Sequence, residues 1–176
     1  RRDAFLGAAD WALRARDAVV EGGRGHSVAN VGVVSVHPGV SNVVPARAEV
    51  VHEVRDPDPA VLDRLAELTA SLARHVADAR GLRVEVRPLS ATTPTPCAPR
   101  VQKAVEAVCG RLGLPWQRLH SAAGHDAQNL AAVTEAGMIF IPSRAGRSHR
   151  VDEASDPAAI ERGANVLLHT LLALAG

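Results

Sequence analysis

The chain has 176 residues, enough for one ordinary domain or two small ones. Hydrophobic residues make up 47% and charged residues 22%, the balance of a globular protein whose core must be aliphatic, because aromatics reach only 2%. A net charge of +1 argues against a nucleic-acid face, the scarcity of aromatics argues against base stacking, and no run of about 18 apolar residues can span a membrane. Cys97 and Cys109 form neither a disulfide framework nor a metal knuckle, so a reducing, cytoplasmic setting is expected.

Residues 2–21 show a helical period, with Leu6, Ala9, Leu13 and Val20 near one stripe and Gly22-Gly23 as the stop. Residues 28–36 are valine-rich and predict a strand, broken by His37-Pro38-Gly39. A loop through Ser41-Asn42 and Pro45 leads to a second strand over 48–55. Asp56-Pro57-Asp58-Pro59 opens a helix to about Arg80, with Val61, Leu65, Leu68, Leu72 and Val76 as its apolar face and Gly81 as its cap. Leu82, Val84 and Val86 alternate with Arg83, Glu85 and Arg87, the pattern of a half-buried strand. The order helix, strand, strand, helix, strand is a ferredoxin-like unit lacking its first strand. That strand is expected upstream of Arg1, and the absence of an initial methionine points the same way.

The polar, proline-rich stretch Thr92-Thr93-Pro94-Thr95-Pro96 is the expected boundary, dividing the chain into residues 1–92 and 93–176. Beyond it, Pro99 opens a helix with Val101, Val105, Val108 and Leu112 on one face. Residues 114–119 suggest a short strand, and 124–135 suggest a helix. Met138-Ile139-Phe140-Ile141 is an apolar run of the kind found in buried strands of α/β sheets. Asp156-Pro157 starts a last helix carrying Ile160, Ala164, Leu167, Leu171 and Leu174. Overall the class is α/β.

Two segments are more polar than packing requires. In Ser121-Ala122-Ala123-Gly124-His125-Asp126-Ala127, Gly124 permits close backbone approach at a helix start, with His125 beside it. Alternatively, this is a plain first helical turn with an exposed histidine. In Gly146-Arg147-Ser148-His149-Arg150-Val151-Asp152-Glu153, His149 lies in a loop after an apolar strand, where α/β sheets place ligands, although a lone loop histidine is more often simply solvated. Asn42 and Arg55 can form a carboxylate receptor, since an arginine fork matches two oxygens. An ordinary strand-end arginine on a wet face is the plainer reading. His26, His37, His52, His75, His120 and His169 fit turn, strand or helix-surface roles.

Ser121 to Gln128, Gly137 to Ser143, and Gly146-Arg147-Ser148-His149 with Glu153 resemble the C-terminal signature of the metal-dependent N-carbamoyl-L-amino-acid hydrolases and allantoate amidohydrolases. These are relatives of the zinc aminopeptidases and carboxypeptidases. Arg1-Arg2-Asp3-Ala4, Ser41-Asn42-Val43-Val44-Pro45 and Val54-Arg55 resemble that family's lid, in the same order. The resemblance implies a ferredoxin-like lid that also carries homodimerisation, followed by the C-terminal part of a zinc-peptidase-like catalytic domain. It implies two divalent metals per active site, zinc or manganese, acting on a small anionic carbamoyl or ureido substrate. His149 corresponds to a metal ligand, and His125 to the histidine that contacts substrate and developing charge. Gly124 corresponds to a backbone contact, and Asn42 with Arg55 to the lid pair that grips the substrate carboxylate. The remaining metal ligands and the general base belong to a region N-terminal of Arg1, so this chain alone is expected to be inactive. A dipeptidase or acylase of the same superfamily, or a non-catalytic dimerisation module, are the alternatives.

Overall fold

The computed structural model describes residues 2–23 and 25–176. Its elements are α1 (Ala4–Gly22), β1 (Val28–His37), β2 (Arg47–Arg55), α2 (Pro59–Ala79), α3 (Pro99–Arg111), α4 (Asp126–Leu130), a single 3-10 turn (Arg144–Gly146) and α5 (Pro157–Ala175). They fall into two compact units. The first runs to Pro94 and takes in His120–Ala122, and the second comprises Thr95–Leu119 and Ala123–Gly176.

In the first unit, β1 and β2 form an antiparallel two-stranded sheet, Val28 opposite Arg55 and His37 opposite Arg47. A bulge between Val31 and Val33 shifts the register. It falls at Gly32, a residue that tolerates such a kink. Helices α1 and α2 cover one face of the sheet. Asp3 caps α1 by accepting from the Phe5 and Leu6 amides at 3.0 and 3.2 Å. Asp58 caps α2 in the same manner, with Pro59 in the first turn. Val19, Val61 and Leu65 form the core, with Ala29 and Val54 packed against it. Leu65 is fully buried, a burial that contributes about 2 to 3 kcal/mol. Trp11 Nε1 donates to the Thr69 carbonyl at 2.9 Å, pinning α1 to α2. Asp10 accepts from Arg14 on its own helix and from Arg80 just past α2. These two guanidinium groups, Arg14 first, hold its carboxyl below the usual range.

The stripe expected on α1 is not the one that packs. The helix buries Gly7, Ala15 and Val19, while Leu6, Leu13 and Val20 are half or more exposed. The small residues win because they allow close approach: the side chain of Leu82 occupies the space a Cβ on Gly7 would need. On α2 the expected face holds at Val61, Leu65 and Val76, but Leu68 is exposed and Thr69 takes its place.

The strand expected at 82–86 is not formed: the segment carries no ladder among the described residues. Alternation alone makes no strand, because every second amide needs a partner across the gap. Val84 and Val86 are accordingly about half exposed.

In the second unit, α3 packs on α5 through Val108, Cys109 and Val166, with Val105, Leu114 and Ile139 around them. The apolar run 138–141 is seated on both helices by two glycines. A Cβ on Gly137 would stand 2.5 Å from Val101 Cγ1, and one on Gly163 would stand 2.4 Å from Ile141 Cγ2. This run forms no strand ladder among the described residues, and Phe140 is half exposed, so the expected buried strand is corrected to a packed but unladdered segment. Residues 114–119 are likewise irregular. The helix expected over 124–135 contracts to Asp126–Leu130. Past it the amides of Ala132 and Val133 bond three residues back, to Asn129 and Leu130, while the Thr134 amide bonds four back, to Leu130, so the helix ends in irregular turns. On α5 the packed face is Ala159, Val166 and Thr170, not the expected leucines. Ile160, Leu167 and Leu171 are each more than half exposed.

Candidate functional site

Asn42 is exposed in the loop joining β1 to β2. The loop is shaped by Gly39, whose φ of +73° only glycine takes readily, and closed by the Ala46 amide donating to the His37 carbonyl at 2.9 Å. Arg55 ends β2 at the opposite end of the hairpin, across from Val28. Its two terminal nitrogens are both engaged, one with Glu53 Oε2 at 2.9 Å and the other with the Ala122 carbonyl. The fold therefore does not bring Asn42 and Arg55 together within one chain. Arg55 lies eight residue steps along β2 from Arg47, and the extended rise makes that roughly 25 Å.

The same end of the hairpin gathers further polar groups. Asp56, one of few buried charged residues, accepts from the Ser27 hydroxyl and, at 2.7 Å, from the Asp58 amide. His26 meets His120 with ring centroids 5.1 Å apart. Sequence spacing carries no signal for the His26–His120 pair or for the Arg55–Ala122 contact, because both join positions far apart in the chain.

In the second unit, Gly124, His125, Asp126, Gln128 and Asn129 line an open cavity of about 460 Å³. His125 is the N-cap of α4 in extended conformation. Its amide donates to Gln128 Oε1 at 3.4 Å, and its ring stands edge-on to Phe140 with centroids 5.8 Å apart. Gly124 leaves its backbone accessible beside that ring. A Cβ there would touch Gln128 Oε1 at 3.4 Å.

His149 lies in the loop after the apolar run, with φ of +56°. The loop is closed at its base by the Arg144 amide donating to the Ala154 carbonyl at 2.7 Å. Arg147 and Arg150 both reach Asp152. His149 is exposed, and its imidazole is of the donor type that suits zinc. No three His, Cys, Asp or Glu side chains among the described residues come together as a ligand set. The donor chemistry therefore fits one ligand to a metal and not a complete centre.

An α/β chain with a helix-covered hairpin and two histidine-bearing loops on a separate unit narrows the class, and comparison with known proteins resolves it. Residues 7–173 match peptidase family M20/M25/M40, and the chain belongs to that family. It is 38% identical to an N-carbamoyl-L-amino acid amidohydrolase of Geobacillus stearothermophilus, over 86% of this chain and 37% of the relative. It is 32% identical to a ureidoglycolate hydrolase of Oryza sativa, over 95% of this chain and 35% of the relative. A solved hydantoinase/carbamoylase family amidase from Burkholderia ambifaria superposes with a TM-score of 0.90 at 28% identity, over 100% of this chain and 42% of that one. The chain thus spans about two fifths of the length of the relatives it matches. Among the described residues, no helix is long and apolar enough to cross a membrane.

Proposed function

We propose that this chain forms the lid and the C-terminal catalytic segment of an amidohydrolase that cleaves the carbamoyl or ureido C–N bond of a small anionic substrate. N-carbamoyl amino acids and allantoate-like ureido acids are the class. What supports the reading is the ordered set Arg55, Gly124-His125 and His149 in a chain of this family, with relatives named for carbamoyl and ureido substrates.

Residues 1–92 are the lid, a ferredoxin-like unit of which β1 and β2 are the central hairpin. Residues 93–176 belong to the catalytic domain. Arg55 takes the substrate carboxylate with its planar fork. In the free chain both ends of that fork are occupied, by Glu53 and the Ala122 carbonyl, and the substrate carboxylate takes their place. One carboxylate cannot reach across the roughly 25 Å of hairpin that separates Arg55 from the Asn42 loop. The Asn42 that completes the grip is therefore contributed by the second copy of a homodimer formed through the lid. His125 donates to the oxygen on which charge develops, and Gly124 offers backbone beside it. His149 supplies one imidazole to a divalent metal, zinc or manganese, of a two-metal centre. Such a pair polarises a carbonyl oxygen and activates water. Its other ligands lie outside these residues, so the chain alone lacks activity.

The test offers the intact, metal-loaded protein N-carbamoyl amino acids, allantoate, ureidoglycolate and dipeptides. Ammonia release from a carbamoyl or ureido acid, abolished in His125→Ala, is the expected result. Release of free amino acids from dipeptides without ammonia would replace this reading with a dipeptidase.

A further inference from the structure

His149 occupies a backbone conformation that side-chain-bearing residues rarely adopt, with φ of +56°. Such a residue persists only where its surroundings hold it. Among the described residues, one hydrogen bond acts directly on this residue: its backbone amide donates to Glu153 Oε2 at 2.7 Å. The remaining ties of the loop act elsewhere. Asp152 draws Arg147 and Arg150, the Glu153 amide donates to the Arg150 carbonyl at 3.1 Å, and the Gly146 amide donates to the Ser143 carbonyl at 3.0 Å. The segment from 149 to 153 is thus a closed turn, with the Glu153 carboxylate folded back onto the amide at its start. A carboxylate on an amide is a charge-assisted bond, shorter and stronger than its neutral counterpart.

We propose that Glu153 is the positioning residue for His149: its carboxylate holds residue 149 in the left-handed conformation and so fixes the direction in which the imidazole leaves the loop. This rests on the reading of His149 as a metal ligand. A ligand ring held in place before the ion arrives binds it without first losing its own freedom.

The experiment compares Glu153→Ala, Glu153→Gln and His149→Ala in the intact protein. Two quantities are followed: hydrogen exchange at the residue 149 amide, and zinc retained against a chelator. Glu153→Ala is expected to speed exchange at amide 149 while the Gly146 amide keeps its protection. The same variant should weaken zinc binding roughly 10- to 100-fold. Glu153→Gln retains an acceptor oxygen and should restore most of both. Unchanged exchange in Glu153→Ala, or equal impairment by Ala and Gln, overturns the proposal. So does faster exchange with zinc affinity intact while His149→Ala loses zinc. If His149→Ala keeps its zinc, the ligand reading falls instead, and exchange at amide 149 still decides whether Glu153 holds the turn.

Discussion

The imidazole of His52 stands edge-on to the indole of Trp11, ring centroids 5.2 Å apart and planes at 82°. His52 lies on the helix-covered face of β2, and its Nε2 is buried with no hydrogen-bond partner among the described residues. Burial pushes its pKa below the ordinary histidine value. The folded first unit therefore favours the neutral ring, whereas the unfolded chain takes up a proton below about pH 6.5. By linkage, stability from this residue is fully present above about pH 6.5 and declines as the pH falls through the window beneath it. Thermal unfolding across pH 5 to 8 should show this slope, and His52→Leu, which keeps the packing against Trp11, should flatten it. An identical slope in the variant would assign the effect to another group.

Arg55 offers a second prediction: on the proposed reading of Arg55 as the carboxylate fork, Glu53 competes for the same guanidinium. Arg55→Lys keeps the charge but loses the fork, and loss of a charge-assisted bond should lower kcat/KM about 10- to 100-fold, chiefly through KM. Glu53→Ala removes the competitor. Since exposed ion pairs are weak, KM should fall by no more than about fivefold. Steady-state kinetics on a carbamoyl amino acid checks both, and a Lys variant with unaltered KM would remove Arg55 from carboxylate binding.

Much of the first unit was legible because its signals are local. Asp3, Asp58 and Gly81 mark helix ends by chemistry that needs no distant partner. The misread faces of α1 and α5 share a different cause. In each helix a line of leucines and a line of small residues both repeat with helical period. Hydrophobicity alone selects the leucines, yet Gly7 and Gly163 are where neighbouring side chains come within contact distance. The strands expected at 82–86 and 138–141 have the right composition, but a ladder is a relation between two segments. The site divides in the same manner. The candidates Gly124, His125 and His149 lie in polar segments that stand out from apolar sequence, whereas the separation of Asn42 from Arg55 emerges only from the hairpin register.

That separation makes the homodimer testable by mixing. Arg55→Ala and Asn42→Ala homodimers should each be impaired, since each lacks one half of every carboxylate grip. In a mixed dimer, the Arg55 of one subunit meets the intact Asn42 loop of the other, so one of the two sites is whole. Random exchange makes half the dimers mixed, and about a quarter of all sites should recover. If both residues served the same subunit's site, mixing would restore nothing, because neither subunit would carry the complete pair.

Gly163 fixes how closely α5 approaches the apolar run that leads into the His149 loop. Its missing side chain leaves room for Ile141 Cγ2, which would lie 2.4 Å from a Cβ built there. That distance is far inside van der Waals contact, and helical backbone on one side with a β-branched side chain on the other leaves little room to yield. Alanine normally favours a helix over glycine by about 1 kcal/mol, so helix propensity alone predicts that Gly163→Ala stabilises. Overpacking typically costs about 1 to 3 kcal/mol and should outweigh that gain. The variant is therefore expected to lower the Tm of the second unit, and Gly163→Ala with Ile141→Leu, which removes the β-branch methyl at Cγ2 while conserving volume, should recover part of the loss. If Ala raises the Tm instead, the close approach of Ile141 to α5 is not what seats this segment.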